Sequence, residues 1–306
     1  MAGYLVRRLL ESALAVWGVV TIVFFVTRVL GDPAALLLPI GASAEQIEAL
    51  RDNLGLNQPL FVQYLQFLGQ VVQGDFGTSF QHGRPALEVV MERMPATALL
   101  AGSAMVLGIL IGAVAGAIAA LKRGSLAELV VMAIALLGQA TPVFWLGIML
   151  ILYFGVNLGW LPTGGYGTFA HLVLPAITLA VFVSASIARL LRSSMLDILR
   201  EDYIRTARAK GLMPHTVFVW HIARNALIPV TTMTAILAGE LLGGSVVTET
   251  VFSWPGVGRL ILQAIQAKDF PVIQAGVFVV ASLFVLINFV VDLLYGVLDP
   301  RIRAER

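Results

Sequence analysis

A few polar side chains lie inside long apolar segments of this 306-residue sequence, where they could contact a polar solute or form hydrogen bonds with a neighbouring helix. Glu240 is the best single candidate for a charge that faces a cavity. Asn288 and Asp292 lie one turn apart on one helical face, toward the end of an apolar run, which favours pairing with nearby helices or loops. The candidates for lining a path are Gln139, Thr141, Glu240, Ser245, Trp254, Asn288 and Asp292.

The sequence lacks the patterns that would support catalysis or metal binding. It has no cysteine, and its four histidines include no i, i+4 pair of the kind that holds a metal. It also contains neither a G-x-x-x-x-G-K-[ST] phosphate loop nor an H-E-x-x-H helix. Ser103 follows Gly102, but the second glycine of a nucleophile elbow is absent. We expect a non-catalytic chain without a cofactor or metal of its own.

Composition places these residues in a membrane. Hydrophobic residues make up 58% of the chain and charged residues 12%, which is too little polar surface for a soluble protein of this size. The net charge of +2 gives no support for nucleic-acid binding. The N-terminal MAGYLVRRLL begins like a signal peptide, but the apolar run is too long, so a retained first span is predicted.

Six segments are long and apolar enough to cross a bilayer as helices. They are about 9–30, 96–121, 128–155, 171–190, 226–247 and 273–298. Pro142 is expected to bend the third of them. If both termini are cytoplasmic, 14 of the 20 Lys and Arg residues fall in the inner segments, which are 1–8, 122–127, 189–225 and 299–306. Because basic residues concentrate in cytoplasmic loops, the sequence predicts this orientation.

The stretch 31–95 is too polar to span and is predicted to form a helical segment outside the cytoplasm. Ser43 followed by Gln46 is a capping-box pattern for a first helix, which Gly55 would end. Pro59 would open a second helix. The residues expected to face inward on that helix are Leu65, Leu68 and Val72.

Two local patterns predict how the spans meet. Gly108, Gly112 and Gly116 recur every four residues in the second span, which favours close packing of a neighbouring helix over a pore wall. Ser125 and Glu128 form another capping box, which predicts a tight cytoplasmic turn before the third span.

The segment 195–225 is basic and helix-forming, and we predict two short helices in it, separated by Gly211 and Pro214. A loop that serves only to fix topology would need few charges and no such length. The segment is therefore predicted to dock a cytoplasmic partner.

The same segment carries a family resemblance. DYIRTARAKG (202–211), followed by RNALIP (224–229), closely resembles the cytoplasmic coupling loop of bacterial ABC importer permeases in the dipeptide/oligopeptide/nickel branch. Arg205, Thr206 and Ala207 stand where the general importer signature begins Glu-Ala-Ala. Further landmarks resemble the branch in the same order: GDP (31–33), LGLNQPLFVQY (54–64), GDFGTSF (74–80), LPA (174–176), FSWPGVGRL (252–260) and VDLLYGVLDPRIR (291–303).

Residues and resemblance together predict an all-α integral membrane protein of six transmembrane helices. A periplasmic helical insertion would follow the first helix, and a cytoplasmic coupling-helix loop would join the fourth and fifth. The expected domains are an N-terminal transmembrane helix (1–30), an extracytoplasmic helical segment (31–95) and a five-helix permease core (96–306) that includes the coupling loop 195–225.

The resemblance also implies partners in a bacterial inner membrane. They are a second homologous permease, two cytoplasmic ABC ATPase subunits that bind ATP and magnesium, an extracytoplasmic substrate-binding protein and membrane lipid. The binding protein would dock against 31–95 and 248–272, where SWPGVG (253–258) resembles a short turn inserted toward the path.

The resemblance assigns the coupling role to a set of residues in the loop. Ala207 and Gly211 would allow close approach to the ATPase, and Arg205, Arg208 and Lys210 would offer charge to its acidic rim. The residues expected to couple to the ATPase are Asp202, Tyr203, Arg205, Thr206, Ala207, Arg208, Lys210 and Gly211.

The substrate class implied by the branch is di- or oligopeptides, with nickel as the runner-up and glutathione-like thiols also transported by such permeases. Two hypotheses of other classes stay open at this point. A secondary transporter would need inverted repeats and paired ionisable residues at the midplane. An intramembrane hydrolase would need a catalytic constellation. Co-purification with ATPase subunits would separate the permease from both.

Overall fold

The computed structural model describes residues 2–30, 42–53 and 55–298, and within these ranges every regular element is a helix, apart from one isolated bridge between Thr78 and Pro85. The helices are α1 (Ala2–Leu30), α2 (Ala44–Asn53), α3 (Leu60–Val72), α4 (Ala86–Leu121), α5 (Leu126–Ala140), α6 (Val143–Leu150), α7 (Phe169–Ile198), α8 (Asp202–Ala209), α9 (Arg224–Val251), α10 (Val257–Ala267) and α11 (Phe270–Leu298). A π-helical segment, Ile151–Asn157, extends α6, and another, Val217–Ala223, leads from Pro214–Thr216 into α9.

Among the residues that the structure describes, five helices are long and apolar enough to cross a membrane, and a bent pair makes a sixth if it is counted as one span. The bent pair joins Leu126–Ala140 to Val143–Asn157 at an angle of 104°. Pro142 lies at the break, and the first helix ends at Ala140 because Thr141, the residue before proline, has an extended backbone. The predicted bend and the all-α membrane fold are confirmed, and the bend amounts to a full break between two helices.

Other helix bounds also differ from the expected ones. α4 begins at Ala86 rather than near 96, and α7 continues to Ile198, because helices extend beyond the apolar window that hydropathy detects. Within 195–225 the structure has the short helix α8 and, after the break at Gly211, a second helical stretch that begins at Pro214, but this stretch continues into α9 instead of ending near Arg224. The helical stretch can begin at Pro214 because proline in a first helical turn loses no hydrogen bond, and it then continues into α9 without a break.

The chain forms two compact units, one of Met1–Ala96 with Pro255–Phe289 and the other of Thr97–Trp254 with Val290–Arg306. In the first unit, the capping box before α2 is confirmed. The Ser43 N–H donates to Gln46 Oε1 (2.9 Å), and the Gln46 N–H donates to Ser43 Oγ (3.2 Å).

α3 packs against α1 in the first unit through Val20, Phe24 and Phe67. The hydroxyls of Thr21 and Tyr64 lie 2.7 Å apart in the same contact. The expectation that Leu65 and Val72 face inward is wrong. They are 51% and 88% exposed, because a different face of α3 meets α1.

A second cluster in this unit joins the start of α4 to α10 and α11, with Val90, Val257 and Val272 fully buried. Asp269, which is 1% exposed, lies between α10 and α11 and binds the turn 79–81 that precedes α4. Its carboxylate accepts hydrogen bonds from Ser79 Oγ–H (2.6 Å) and from the N–H groups of Phe80 (3.1 Å) and Gln81 (3.2 Å).

α7 is the most enclosed of the five long spans and packs against α5, α6 and α9 in the second unit. The three glycines of α4 lie directly against it. A Cβ at Gly108 would lie 2.5 Å from the Val183 Cβ, and one at Gly112 or Gly116 would lie 2.7 Å from a backbone carbonyl oxygen of α7. The packing role predicted for this stripe is confirmed.

Candidate functional site

The short helix α8 is seated on the second unit by one narrow face. Ile204 and Ala207, one turn apart, are buried, and the other six residues of the helix are exposed. Ala207 therefore contacts this chain's own interior. The expectation that Ala207 allows close approach to a partner does not fit this burial.

Gly211 ends α8 in a left-handed conformation, with φ of +76°. The Leu212 N–H donates to the Ala207 carbonyl (3.3 Å) and the Gly211 N–H donates to that of Arg208 (3.0 Å), which is the Schellman arrangement. A Cβ at Gly211 would meet nothing within 4 Å, so glycine is required here by the backbone rather than by crowding within the chain.

A side-chain clip ties α8 to the start of α9. Asn225 Nδ2 donates to the Tyr203 hydroxyl (3.2 Å) and to the His221 carbonyl (2.9 Å). Asn225 belongs to the RNALIP stretch, so the two sequence motifs of the loop are in direct contact.

The outward face of α8 is mainly basic. Arg205 and Asp202 approach to 3.6 Å, with side chains 81% and 95% exposed, so this pair adds little stability. The predicted residues that lie on the exposed surface are Asp202, Tyr203, Arg205, Thr206, Arg208, Lys210 and Gly211. This surface therefore presents three basic side chains and one carboxylate to solvent.

An ion pair that sequence reasoning missed lies near the base of this loop. Arg192 of α7 donates from Nε (2.7 Å) and from Nη2 to Glu128 Oε1 of α5. Glu128 Oε2 also accepts from the Gly124 N–H (2.5 Å), while its own N–H donates to Ser125 Oγ (3.3 Å). In the predicted capping box, the Glu128 carboxylate would accept from the Ser125 N–H. It accepts from the Gly124 N–H instead, and its bonds to Arg192 tie this turn to α7.

The polar candidates near the bent span lie at its break. Gln139 is half-buried in α5, and Thr141 bonds through Oγ1–H to the Leu137 carbonyl (2.7 Å), which satisfies a group at the helix end. Glu240 lies on the middle of α9 and is exposed in the single chain. Its exposure keeps it available to a cavity or to a neighbouring subunit.

The C-terminal end of α9 collects the buried candidates. Ser245 is fully buried, and Trp254 is 1% exposed with its ring 4.8 Å from that of Tyr166. Glu249, which sequence reasoning did not select, is fully buried there as well and accepts a hydrogen bond from Thr97 Oγ1 (2.7 Å). The sequence feature that could have identified Glu249 is its position five residues before the turn at Trp254 and Pro255.

The turn after α9 is clamped by the segment before α7. The Gly165 N–H donates to the Phe252 carbonyl (2.8 Å), and a Cβ at Gly164 would lie 2.5 Å from that oxygen. The Trp254 N–H donates to the Glu249 carbonyl (2.7 Å). The start of the SWPGVG motif is therefore a tightly packed turn rather than a free loop.

The two remaining candidates lie on α11. Asn288 is half-buried and donates to the Phe284 carbonyl one turn earlier (2.9 Å). The side chain of Asp292 lies outside the described part of the structure.

A cavity of about 490 Å³ in the first unit is lined by both polar and apolar residues. Gln81 and His82 line it from the turn before α4, and Gln263 and Gln266 line it from α10. Both walls belong to segments in which the sequence predicts contact with a binding protein.

Comparison with known proteins decides the family. Residues 95–304 match the binding-protein-dependent transport system inner membrane component, and residues 1–101 match the N-terminal membrane component of such systems. The chain belongs to this family. It is a permease subunit of an ABC importer, of the peptide/nickel branch, and is built from membrane-spanning helices.

Curated relatives match the permease over its whole length. The glutathione transport system permease protein of Escherichia coli (strain K12) is 44% identical over 306 residues, with all of both chains covered. The di/tripeptide transport system permease protein of Pseudomonas aeruginosa (strain UCBPP-PA14) is 42% identical over 337 aligned residues, again with both chains fully covered.

Solved structures share the fold. An inward-facing methionine ABC transporter matches with a TM-score of 0.56 and 20% identity, covering 69% of this chain and 96% of that one. An amino acid ABC transporter with histidines matches with a TM-score of 0.52 and 17% identity, covering 69% and 94%.

Proposed function

We propose that this permease pairs with a second, homologous permease subunit and two cytoplasmic ABC ATPase subunits to import short peptides across a bacterial inner membrane. A substrate-binding protein delivers the peptide from outside. Both termini and α8 face the cytoplasm, a topology that the distribution of Lys and Arg supports.

The observation that carries the ATPase contact is the division of α8 into two faces. Ile204 and Ala207 seat it on the permease, while Arg205, Arg208 and Lys210 stay in solvent. A helix held in this way moves with its own subunit and presents a fixed pattern of charge. Such a surface fits an acidic rim on a partner.

Coupling then follows from rigid-body motion. ATP and magnesium bind the ATPase subunits, which have different affinities for the two arrangements of the permeases and so shift the balance between them. The Tyr203–Asn225 clip carries movement of α8 into α9, and the Glu128–Arg192 pair joins the α4–α5 turn to α7. In this scheme the chain itself holds no nucleotide, metal or other cofactor.

Short peptides are the substrate class that the relatives favour. One relative is named for glutathione, which is a tripeptide by its chemistry, and another for di- and tripeptides. The glutamines that line the cavity between the 81–82 turn and α10 offer hydrogen-bonding groups to a docked binding protein.

The test combines two charge reversals on the outward face, Arg205→Glu with Arg208→Glu, which leave Ile204 and Ala207 in place. We expect the double variant to lose co-purifying ATPase and to lower binding-protein-stimulated ATPase activity in proteoliposomes at least about tenfold, because like charges would meet at the interface. The matched control reverses two exposed cations of the other cytoplasmic turn, Lys122→Glu with Arg123→Glu. Unchanged stimulation in the first variant would contradict the docking role.

The ligand is tested separately by mass spectrometry of the binding protein purified with its cargo. A peptide of two or more residues is expected. A chelated nickel ion would overturn the peptide assignment and leave the ATPase contact unaffected.

A further inference from the structure

The helix α3 has three faces with different chemistry. One face packs on α1 through Tyr64, Phe67 and Leu68. A second face is glutamine-rich and exposed, with Gln66, Gln70 and Gln73 along or just after the helix. The third face is both exposed and apolar, and its residues are Phe61, Val62, Leu65, Gly69 and Val72.

The apolar face is a continuous strip rather than scattered residues. At about 100° per residue, Phe61, Leu65 and Val72 fall within an arc of about 40°. Their exposed fractions are 69%, 51% and 88%. From Pro59 to Gly74 the sequence has no charged residue. In water such a strip would be an unstable surface, so something apolar covers it.

The level at which α3 contacts α1 indicates what covers the apolar strip. The span Val6–Arg28 meets α3 through Val16, Val20 and Phe24. Val20 lies eight residues from Arg28, or about 12 Å along the helix at 1.5 Å per residue. A helix centred at this level lies within the bilayer half that holds the Arg28 end of α1, whose hydrocarbon thickness is about 15 Å.

The strip also continues an apolar surface of α1. Phe25, which is 48% exposed, stacks on Tyr64 with ring centroids 6.1 Å apart. Trp17 and Ile22 are exposed on the same span. Exposed apolar residues of a spanning helix meet lipid chains, and the strip on α3 extends that surface.

We propose that α3 is a membrane-embedded amphipathic helix whose Phe61–Leu65–Val72 strip is covered by lipid acyl chains, with its glutamine face turned toward the headgroups. The helix thus belongs to the membrane layer and not to the aqueous phase outside it. This assignment does not depend on which solute the transporter carries.

Single cysteines test the proposal, because this chain has none of its own. Leu65→Cys and its neighbour Gln66→Cys are spin-labelled in the complete transporter, with cysteines of the partner subunits replaced. The complex is reconstituted in vesicles of phosphatidylethanolamine and phosphatidylglycerol without binding protein. Collision rates with oxygen, which partitions into lipid, and with a water-soluble nickel chelate are measured at each site.

We expect the ratio of oxygen to nickel-chelate collisions to be several-fold higher at Leu65→Cys than at Gln66→Cys. Equal, high access of the chelate at both sites would place the strip in water and overturn the proposal. Low access of both reagents at Leu65→Cys would show that protein, such as the second permease, covers it, and would overturn the lipid assignment as well. Val72→Cys, at the most exposed position of the strip, gives the same readout if Leu65→Cys fails to assemble.

Discussion

The helices α3 and α8 are both too short to span a membrane, and they differ in what they leave uncovered. α8 buries two of its eight residues and exposes a basic surface. α3 buries Gln63 and Phe67 and exposes an apolar strip beside glutamines. A basic surface suits water and a charged protein partner, whereas an apolar strip suits lipid.

The comparison shows that the uncovered face of a short helix is more informative than its buried face. Both helices are seated by a few apolar side chains and by a side-chain hydrogen bond to a longer helix, Tyr203–Asn225 for α8 and Thr21–Tyr64 for α3. The seats are alike in kind. The two helices differ instead in the chemistry of the uncovered face, which is basic on α8 and apolar on α3.

The largest expected effect comes from breaking the seat of α8. Ala207→Asp would bury an unpaired carboxylate, at a cost of about 3–5 kcal/mol, and would release the helix. We expect trypsin to cleave the purified permease rapidly at Arg205 and Arg208 and stimulated ATPase activity to disappear. Ala209→Asp is the matched control, since it places the same side chain on the exposed face. Equal cleavage rates in the two variants would show that Ala207 does not seat α8.

The seat of α3 gives the next largest effect. Phe67→Ala removes a buried ring in contact with Phe24 and should destabilise the complex by about 3 kcal/mol, measured as a lower Tm. Leu65→Ala truncates a side chain of the exposed strip and should leave Tm nearly unchanged, because one apolar group meets lipid in either case. A loss at Leu65→Ala as large as that at Phe67→Ala would mean that protein packs on both faces.

The smallest effects come from the two hydrogen bonds. Tyr203→Phe removes the bond to Asn225 and should cost about 1 kcal/mol, which is about a fivefold increase in local opening. Amide hydrogen exchange of residues 202–209 measures it. Tyr64→Phe, which removes the bond to Thr21, should accelerate exchange in α3 and leave α8 unchanged. A change in both helices from either variant would contradict two independent seats.

Features set by neighbours in sequence could be predicted. The capping box at Ser43, the break at Pro142 and the close packing of Gly108 each depend on residues within a few positions or on side-chain size alone. The membrane fold follows from composition for a similar reason, because long apolar runs leave few other structures possible.

Features set by distant contacts could not be predicted. The pairs Glu249–Thr97, Glu128–Arg192 and Asp269–Ser79 are separated by 152, 64 and 190 residues. Local patterns can mark one member of such a pair, as the capping box marks Glu128, but they do not identify a partner that lies so far away in the sequence.

Hydropathy also does not show whether an apolar helix face is in contact with lipid or with protein. The α7 window is 61% buried and that of α1 is 11% buried, although both have high hydropathy. The same ambiguity explains the wrong direction assigned to Leu65 and Val72. Their periodicity indicates an apolar face, but lipid and protein satisfy that face equally well.

The proposed contact with the ATPase subunits requires α8 to face the cytoplasm. Lys210→Cys and Glu48→Cys, both at exposed positions of a chain without other cysteines, are treated in spheroplasts with a membrane-impermeant maleimide. We expect Glu48→Cys to be labelled at once and Lys210→Cys to be labelled only after the membrane is permeabilised. Labelling of Lys210→Cys in sealed spheroplasts would place α8 outside the cell and contradict its contact with the ATPase subunits.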